Sequence, residues 1–387
     1  MDKEKVNRRA VFITPHNIFD LYGNGGVKAT QRNYELMKRC FGEKNVYVCI
    51  LGTQKITENL KDVSFFKQPR SNIEVLIAAL FGCKCYFPWE ERYILKTVQE
   101  KSPDIVFFDS SLLGRLIRRK KTYKTVVFFH NVEADYSWNK VKNEGIWHIP
   151  GFWISKINEK CAAKKANRII CLNGRDRDKI IKLYNRRADF CLPITFDDRF
   201  DIEKVQNHFK KEILFFGSLF QPNQLGVEWF MENVLPKLPD IVLNIVGKGF
   251  EKKRNDYKKY KNVQVIGSVD EPDEFYYRHA VVVMPIQYGA GMKVKTAEAM
   301  MYGRIVLATD EALEGYEVEN VEGIYRCNTA DEYVMRIREI FTGEMIPAYQ
   351  TAVRECFLKK YNTKRVEDKF IRMIENIEET KVKNDIS

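Results

Sequence analysis

The sequence predicts an α/β protein built from two doubly wound parallel-sheet domains. Three observations carry this. The 387 residues exceed one ordinary domain and suit two of about 150–200 residues each. Short continuous apolar runs, the mark of strands covered on both faces, alternate with stretches of helical periodicity. That rhythm fills the first half, stops at the polar, charged stretch 197–210, and then starts again.

In the first half, strands are expected at 10–14, 46–51, 105–108, 125–130 and 168–172. Between the first two, Val27, Thr30, Tyr34, Met37 and Phe41 recur at spacings of three and four, the stripe of one helix face, and Gly42 closes that helix as its C-cap. The second half gives strands at 213–216, 241–246, 263–266, 281–284 and 305–308, with helices near 224–235, 272–279 and 293–302. A last helix, 365–379, follows without a strand of its own. Sheets of this kind take ligands at the carboxyl ends of their strands. Two facing sheets would share one cleft.

Composition narrows the function classes. No apolar run approaches the roughly 20 residues of a membrane span, and the charged start Met1-Asp2-Lys3-Glu4-Lys5 leads into no signal-peptide core, so a cytoplasmic chain is expected. The nine cysteines contain no Cys-x-x-Cys pair, and Cys83 and Cys85 have no second pair at zinc spacing, so free thiols are expected. Charge is uneven. Residues 1–200 hold 37 Lys and Arg against 22 Asp and Glu, an excess of 15, whereas the remainder holds 27 against 30. A basic half favours an anionic partner. No zinc knuckle, recognition helix or basic–aromatic sheet signature accompanies it, which argues against nucleic acid.

The segment GAGMKVKTAEAMMYGRIVLATDEALEG, 289–315, carries the most chemistry. A strand ends at Pro285, and a glycine turn, Gly289-Ala290-Gly291, opens a helix whose free amides suit an anion. Lys293 and Lys295 add positive charge, as a diphosphate cradle requires. Glu298 follows among Ala297, Ala299, Met300 and Met301, where a carboxylate is costly without hydrogen-bond donors. Two vicinal ribose hydroxyls would be such donors. The alternative is a structural turn followed by a solvated glutamate.

This segment resembles the nucleotide-sugar site of the GT-B retaining glycosyltransferases of the group 1, family 4 class. The resemblance implies that Glu298 binds the nucleotide ribose, and that Lys293 and Lys295 with nearby amides bind the diphosphate. Glu314-Gly315 matches a recurrent Glu-Gly of the class. Three further stretches are similar. FFGSLFQPNQLGVEWFMENVLPKL, 215–238, supplies Gly217 at a strand end and Asn223, read as a helix cap. YGNGGVKATQRN, 22–33, supplies Gly25 and Gly26 near the donor phosphates. FFHNVEADY, 128–136, supplies His130, which the resemblance puts beside the donor sugar.

The sequence departs from the class at two places. Ala290 stands where many members carry a first Glu, which puts the sugar's identity in question. Residues 218–224 hold no Lys or Arg where a second basic pair is common, so Lys293 and Lys295 would neutralise the diphosphate alone.

The resemblance therefore implies two Rossmann-like doubly wound domains facing across a cleft (GT-B). They are expected at 1–203, on the acceptor side, and 204–362, on the donor side, with the helix of 363–387 packing back on the first. The implied activity is transfer of a sugar, of hexosyltransferase type, from a nucleoside-diphosphate-sugar to an acceptor hydroxyl with retention, in bacterial surface polysaccharide or glycoconjugate synthesis. His130, Lys293 and Lys295 are the expected catalytic residues. Gly25, Gly26, Gly217, Gly289, Gly291, Lys293, Lys295 and Glu298 are the expected donor-binding ones. No metal or cofactor beyond the sugar nucleotide is expected, and the acceptor would be a glycan or lipid-linked molecule. A non-catalytic GT-B partner subunit, suggested by Ala290, and a nucleotide-sugar epimerase of the same fold are the alternatives.

The basic half is also expected to dock on the inner face of the plasma membrane. Two stretches suggest it: 112–121, aliphatic and basic, and 146–154, with two Trp and a Phe. Because 112–117 would bury its aliphatic residues against the sheet, the attachment is expected to be mainly electrostatic and weakened by salt.

Overall fold

The computed structural model describes residues 8–20, 25–52, 62–118, 121–289, 292–343 and 346–377. The chain forms two compact units, Met1–Pro193 with Glu367–Ser387, and Ile194–Val366.

The first unit holds seven parallel strands: β1 (Ala10–Thr14), β2 (Val46–Leu51), β3 (Val63–Phe66), β4 (Ile105–Phe108), β5 (Lys124–Phe129), β6 (Arg168–Cys171) and β7 (Phe190–Cys191). Their order is β3-β2-β1-β4-β5-β6-β7. The inner strands are continuous apolar runs because helices cover both faces. β1 and β4 are buried at every residue. The two edge strands escape a reading by hydrophobic runs, because three of the four β3 residues and both β7 residues are only half-buried.

Among the described residues, the helices of this unit up to Pro193 are α1 (Gly25–Phe41), α2 (Asn72–Leu80), α3 (Glu90–Lys101), α4 (Glu133–Glu144), α5 (Ile149–Lys165) and α6 (Gly174–Tyr184). α1 buries Val27, Thr30, Met37 and Phe41 of the expected stripe, while Tyr34 is only half-buried. It ends at Gly42, whose φ of 84° suits only glycine well and whose N–H donates to Lys38 O at 2.8 Å. The aliphatic part of 112–121 forms a 3-10 turn, Ser111–Leu116, that buries Leu112, Leu113 and Leu116. Those side chains are core, while Arg119 and Lys120 lie outside the described residues.

The second unit holds β8 (Glu212–Phe216), β9 (Val242–Val246), β10 (Val263–Gly267), β11 (Val281–Met284), β12 (Ile305–Ala308) and β13 (Ile324–Arg326). All pair in parallel, in the order β10-β9-β8-β11-β12-β13. Its helices are α7 (Gln221–Asn233), α8 (Arg254–Tyr257), α9 (Asp273–Arg278), α10 (Val294–Met301), α11 (Ala330–Thr342) and α12 (Thr351–Lys360). The final helix, α13 (Thr363–Glu375), carries Glu367, which pairs with Arg39, and Phe370, whose ring lies 6.3 Å from that of Phe107. Both partners belong to the first unit.

All nine cysteines are free thiols. Cys83 and Cys85 are buried, and burial pushes the Cys85 thiol up to about 12, which keeps it protonated and inert.

Each sheet reverses its order once, between β1 and β4 in the first unit and between β8 and β11 in the second. Those points, at the carboxyl ends of the strands, are where such folds hold ligands.

Phe107 fills the middle of the first sheet, fully buried and stacked on Phe12 at 5.3 Å. Phe107→Ala is expected to cost about 3–5 kcal/mol through lost burial and the cavity left behind. The check is the urea midpoint of the first unit's unfolding.

Candidate functional site

At the switch point of the second unit, β8 ends in Phe216 and Gly217 turns the chain, its N–H donating to Val246 O at 2.9 Å. β11 ends at Met284, and the chain passes Gly289 before re-entering as α10. Ala290 and Gly291 lie outside the described residues. Lys293 is the N-cap residue of α10 and Lys295 is in its first turn.

Each lysine is held by an oxygen from another element. Lys293 Nζ donates to Glu311 Oε1 at 2.8 Å, and both side chains are largely buried. Lys295 turns its ammonium inward. Nζ donates to Asn223 Oδ1 at 2.6 Å and lies 4.7 Å from the centre of the Phe215 ring. The glycines make room for this. A Cβ on Gly217 would lie 3.1 Å from Lys295 Nζ and 3.0 Å from Asn223 Nδ2, and one on Gly289 would lie 3.1 Å from Lys293 Cε. Burial of the Lys295 ammonium pushes it down to about 7; Lys293 adds to this and Glu298 opposes it. An anion brought to Lys295 would raise it again.

Glu298 is 4% exposed, in the middle of α10. The hydroxyl of Tyr276 donates to its Oε2 at 3.5 Å. Burial, and next the Glu298 charge, push the Tyr276 phenol well above its ordinary value, so it remains a donor. Its ring stacks on Tyr302 at 4.9 Å, nearly parallel, which fixes it. The backbone of the lysine turn is pinned too, because Tyr316 Oη donates to Lys293 O at 2.7 Å, just after Gly315.

One expectation fails here. Asn223 does not cap a helix. α7 starts earlier, at Gln221, with Phe220 as its N-cap and Pro222 in its first turn. A proline is tolerated at that position because its missing N–H would have no helical partner. Asn223 instead donates to Ser218 O at 2.8 Å and accepts from Lys295.

The first unit has a second polar cluster at its own switch point. Gly25 and Gly26 are the first two residues of α1, and residues 21–24 before them lie outside the described residues. His130 follows β5 directly. Its Nε2 lies 3.1 Å from Asp109 Oδ2 and 3.0 Å from Asp109 O, just beyond β4. Both partners accept, so Nε2 carries a proton. Asp109 is fully buried. It also accepts from Thr30 Oγ1 at 2.5 Å, Asn33 Nδ2 at 2.7 Å and Thr14 Oγ1 at 3.3 Å. Burial works against the carboxylate, but His130 and the donors from Thr30 and Asn33 outweigh it and hold Asp109 below the usual range. His16 meets the His130 ring edge-on at 5.7 Å, and burial, with His130 next, pushes it down to about 4.

Sequence reasoning found His130 and missed Asp109. The signal was present: Asp109 ends the apolar run of β4, where a carboxylate needs donors. Thr30 and Asn33, both inside the 22–33 stretch, are two of them. Asn223 and Glu311 were missed as lysine partners because those contacts span 72 and 18 residues.

Residues 210–342 match the family described as Glycosyl transferases group 1. A curated relative, an uncharacterized 44.6 kDa protein in the cps region of Klebsiella pneumoniae, is 28% identical over 144 residues. That match covers 34% of this chain and 36% of the relative, so it spans about a third of either protein. Among solved structures, sucrose-phosphate synthase from Thermosynechococcus elongatus aligns over 96% of this chain and 100% of its own, at 13% identity and a TM-score of 0.72. Anabaena HepE in complex with UDP aligns over 95% and 100%, at 12% identity and 0.68. The lipopolysaccharide outer core galactosyltransferase WaaB aligns over 97% and 100%, at 15% identity and 0.64. At these identities the likeness is one of fold. By the sequence of residues 210–342 and by the fold of both its units, the chain is similar to the group 1 glycosyltransferases of GT-B architecture.

Proposed function

We propose that the protein is a glycosyltransferase that moves a sugar from a nucleoside-diphosphate donor to an acceptor hydroxyl, with retention. The observation that carries this is the start of α10. Two lysines and a buried carboxylate are gathered there, at the carboxyl ends of β8 and β11, inside the segment that matches the group 1 family.

Lys293, Lys295 and the first amides of α10 bind the diphosphate and stabilise the charge that develops as it leaves. Glu298 accepts from the ribose hydroxyls, with Tyr276 holding its second oxygen. Gly217 and Gly289 leave room for the backbone to approach the donor, and the same role for Gly25, Gly26 and Gly291 follows from the resemblance. A role for His130 at the donor sugar follows from the resemblance. Its Nε2–H is tied to Asp109, so Nδ1 is the nitrogen left to meet a substrate. Lys293, Lys295 and the helix amides are the groups that offset the diphosphate charge in this reading, which invokes no metal.

HepE has been crystallised with UDP-glucose, which supports a sugar nucleotide as donor. The Klebsiella relative from a cps region supports a setting in surface polysaccharide synthesis. The acceptor is a glycan or lipid-linked molecule, and the basic first half supports work at the inner face of the plasma membrane. Ala290 favours a second reading, a partner subunit that binds donor without turning it over.

Glu298→Ala, with Glu298→Gln as a companion that keeps the volume, is expected to abolish the rise in melting temperature given by a nucleotide sugar. Each lost hydrogen bond to the charged group costs about 1.5–3 kcal/mol, roughly tenfold or more in Kd. Unchanged donor affinity in a folded variant rejects the ribose role.

Donor affinity is expected to fall as pH rises above about 7. Lys295 is then losing its proton in the free protein, while the diphosphate keeps that proton on in the complex. The complex binds more protons, so linkage weakens binding by up to about tenfold per pH unit until the complex itself deprotonates. Lys295→Arg should flatten the profile. A flat wild-type Kd between pH 6.5 and 8.5, by calorimetry, refutes the coupling.

Asp109→Ala removes the partner of four donors at once and is expected to cost about 3–5 kcal/mol of stability in the first unit. His130→Ala should instead lower transfer with little change in melting temperature. Parallel melting and turnover measurements separate the two, and a His130 variant that melts early with normal turnover marks His130 as structural.

A further inference from the structure

The first unit exposes an apolar surface that its own fold leaves open. α2 reads NIEVLIAAL. Ile73 is 71% exposed, Leu76 59%, Leu80 77%, and Phe81 at its end 59%. This is well-formed helix: Ser71 and Glu74 make a reciprocal capping box at its start. A helix apolar on all sides is normally sequestered from water, and a contiguous exposed apolar patch marks a contact surface.

A second exposed element adjoins it. Ile146, Trp147 and His148 form a short turn that leads into α5, with Trp147 84% exposed and Trp153 54% exposed. Between α4, α5 and α6 lies an open, mainly apolar crevice of about 420 Å³, lined by Ala134, Trp138, Ile149, Phe152, Trp153 and Leu183 and by Asp135, whose charge Lys179 offsets at 2.6 Å. The two elements are joined. Asn158 of α5 donates to Gly82 O, just past α2, at 3.0 Å, and Lys84 Nζ donates to Ser155 at 3.2 Å.

Charge selects the occupant. Residues 133–165 hold six lysines against four acidic residues, and of those acids Glu159 is buried and Glu133 faces Lys84 at 3.7 Å. Lys142, Lys160 and Lys164 are exposed, and Lys156 lies 5.3 Å from the Trp153 ring centre. A second copy would bring the same positive charge and be repelled, whereas an anionic surface is attracted. Tryptophans beside lysines suit the boundary between headgroups and acyl chains. Nine residues of α2 extend only about 14 Å, and among the described residues no helix is long and apolar enough to cross a membrane. The element therefore lies in the plane of the interface.

We propose that the face formed by α2 and the 146–157 segment inserts its apolar side chains into an anionic phospholipid bilayer, with the surrounding lysines at the headgroups. This rests on the membrane contact proposed above and names the elements that make it. It also changes the character of the contact, because burial of Leu76, Leu80, Trp147 and Trp153 is not screened by salt.

The test is co-sedimentation of the full chain with vesicles of phosphatidylglycerol and phosphatidylcholine, and of phosphatidylcholine alone, at low and high salt. Binding to the anionic vesicles is expected, with a substantial part surviving high salt. L76S/L80S and W147S/W153S should each weaken that binding tenfold or more. Both should keep the wild-type melting temperature and its rise with a nucleotide sugar, since the substituted residues are exposed. Variants that bind like wild type overturn the proposal, as does wild-type binding that vanishes at high salt. A salt-stable dimer that the substitutions dissolve, with no vesicle binding, assigns the face to a second copy and also overturns it. Vesicle binding as expected with no response to any nucleotide sugar leaves the membrane face standing and rejects the transferase reading alone.

Discussion

Parallel pairing, with one reversal of strand order in each sheet, is the constraint from which the chemistry of this molecule follows. Every strand of a parallel sheet delivers its carboxyl end to the same edge. Where the order reverses, the two neighbouring connections leave toward opposite faces and a crevice opens between them. In the first unit that edge collects Thr14 from β1, Asp109 from beyond β4 and His130 from beyond β5. In the second it collects Gly217 from beyond β8 and, on α10 after β11, Lys293, Lys295 and Glu298.

The charged groups gathered this way are expensive to bury, and each is matched. Lys293 has Glu311, Lys295 has Asn223, Glu298 has the Tyr276 hydroxyl, and Asp109 has a ring of donors. The matches differ in kind. Asp109 is surrounded by donors from its own unit and is held ionised, which suits a group that orients its neighbours. Lys295 has a neutral amide as its partner, and its burial leaves the proton loosely held near neutral pH. A group so placed responds to the arrival of an anion, which a lysine already paired with a carboxylate does less readily.

The surfaces of the two halves also diverge. The basic excess of the chain resides in residues 1–200, together with the exposed apolar side chains of α2 and the 146–157 segment. The donor chemistry resides in the other unit. One half thus presents what an anionic, partly apolar environment attracts, and the other what a nucleoside diphosphate needs.

The inner strands were legible from sequence because they are mostly apolar and buried on both faces, which leaves no other economical placement. β1, β2, β4, β11 and β12 fall where the runs put them. The stretch 289–315 was legible because glycine turn, lysines and carboxylate are close in sequence on one turn and one helix. The edge strands β3 and β7 were not, since half-buried residues leave no continuous run. Asn223 read as a cap because local propensity favours one, yet α7 begins two residues earlier and the side chain answers to Lys295 instead. Asp109 and its donors lie up to 95 residues apart, and no local pattern reports such contacts. The aliphatic and basic stretch 112–121 and the aromatic stretch 146–154 were both read as membrane elements. Packing separated them by burying Leu113 and Leu116 in the core and leaving Trp147 in the open. Sequence alone determined what was periodic or adjacent along the chain. Only the tertiary structure decided which polar groups meet and which apolar ones stay uncovered, because both depend on surfaces that exist once distant segments have packed.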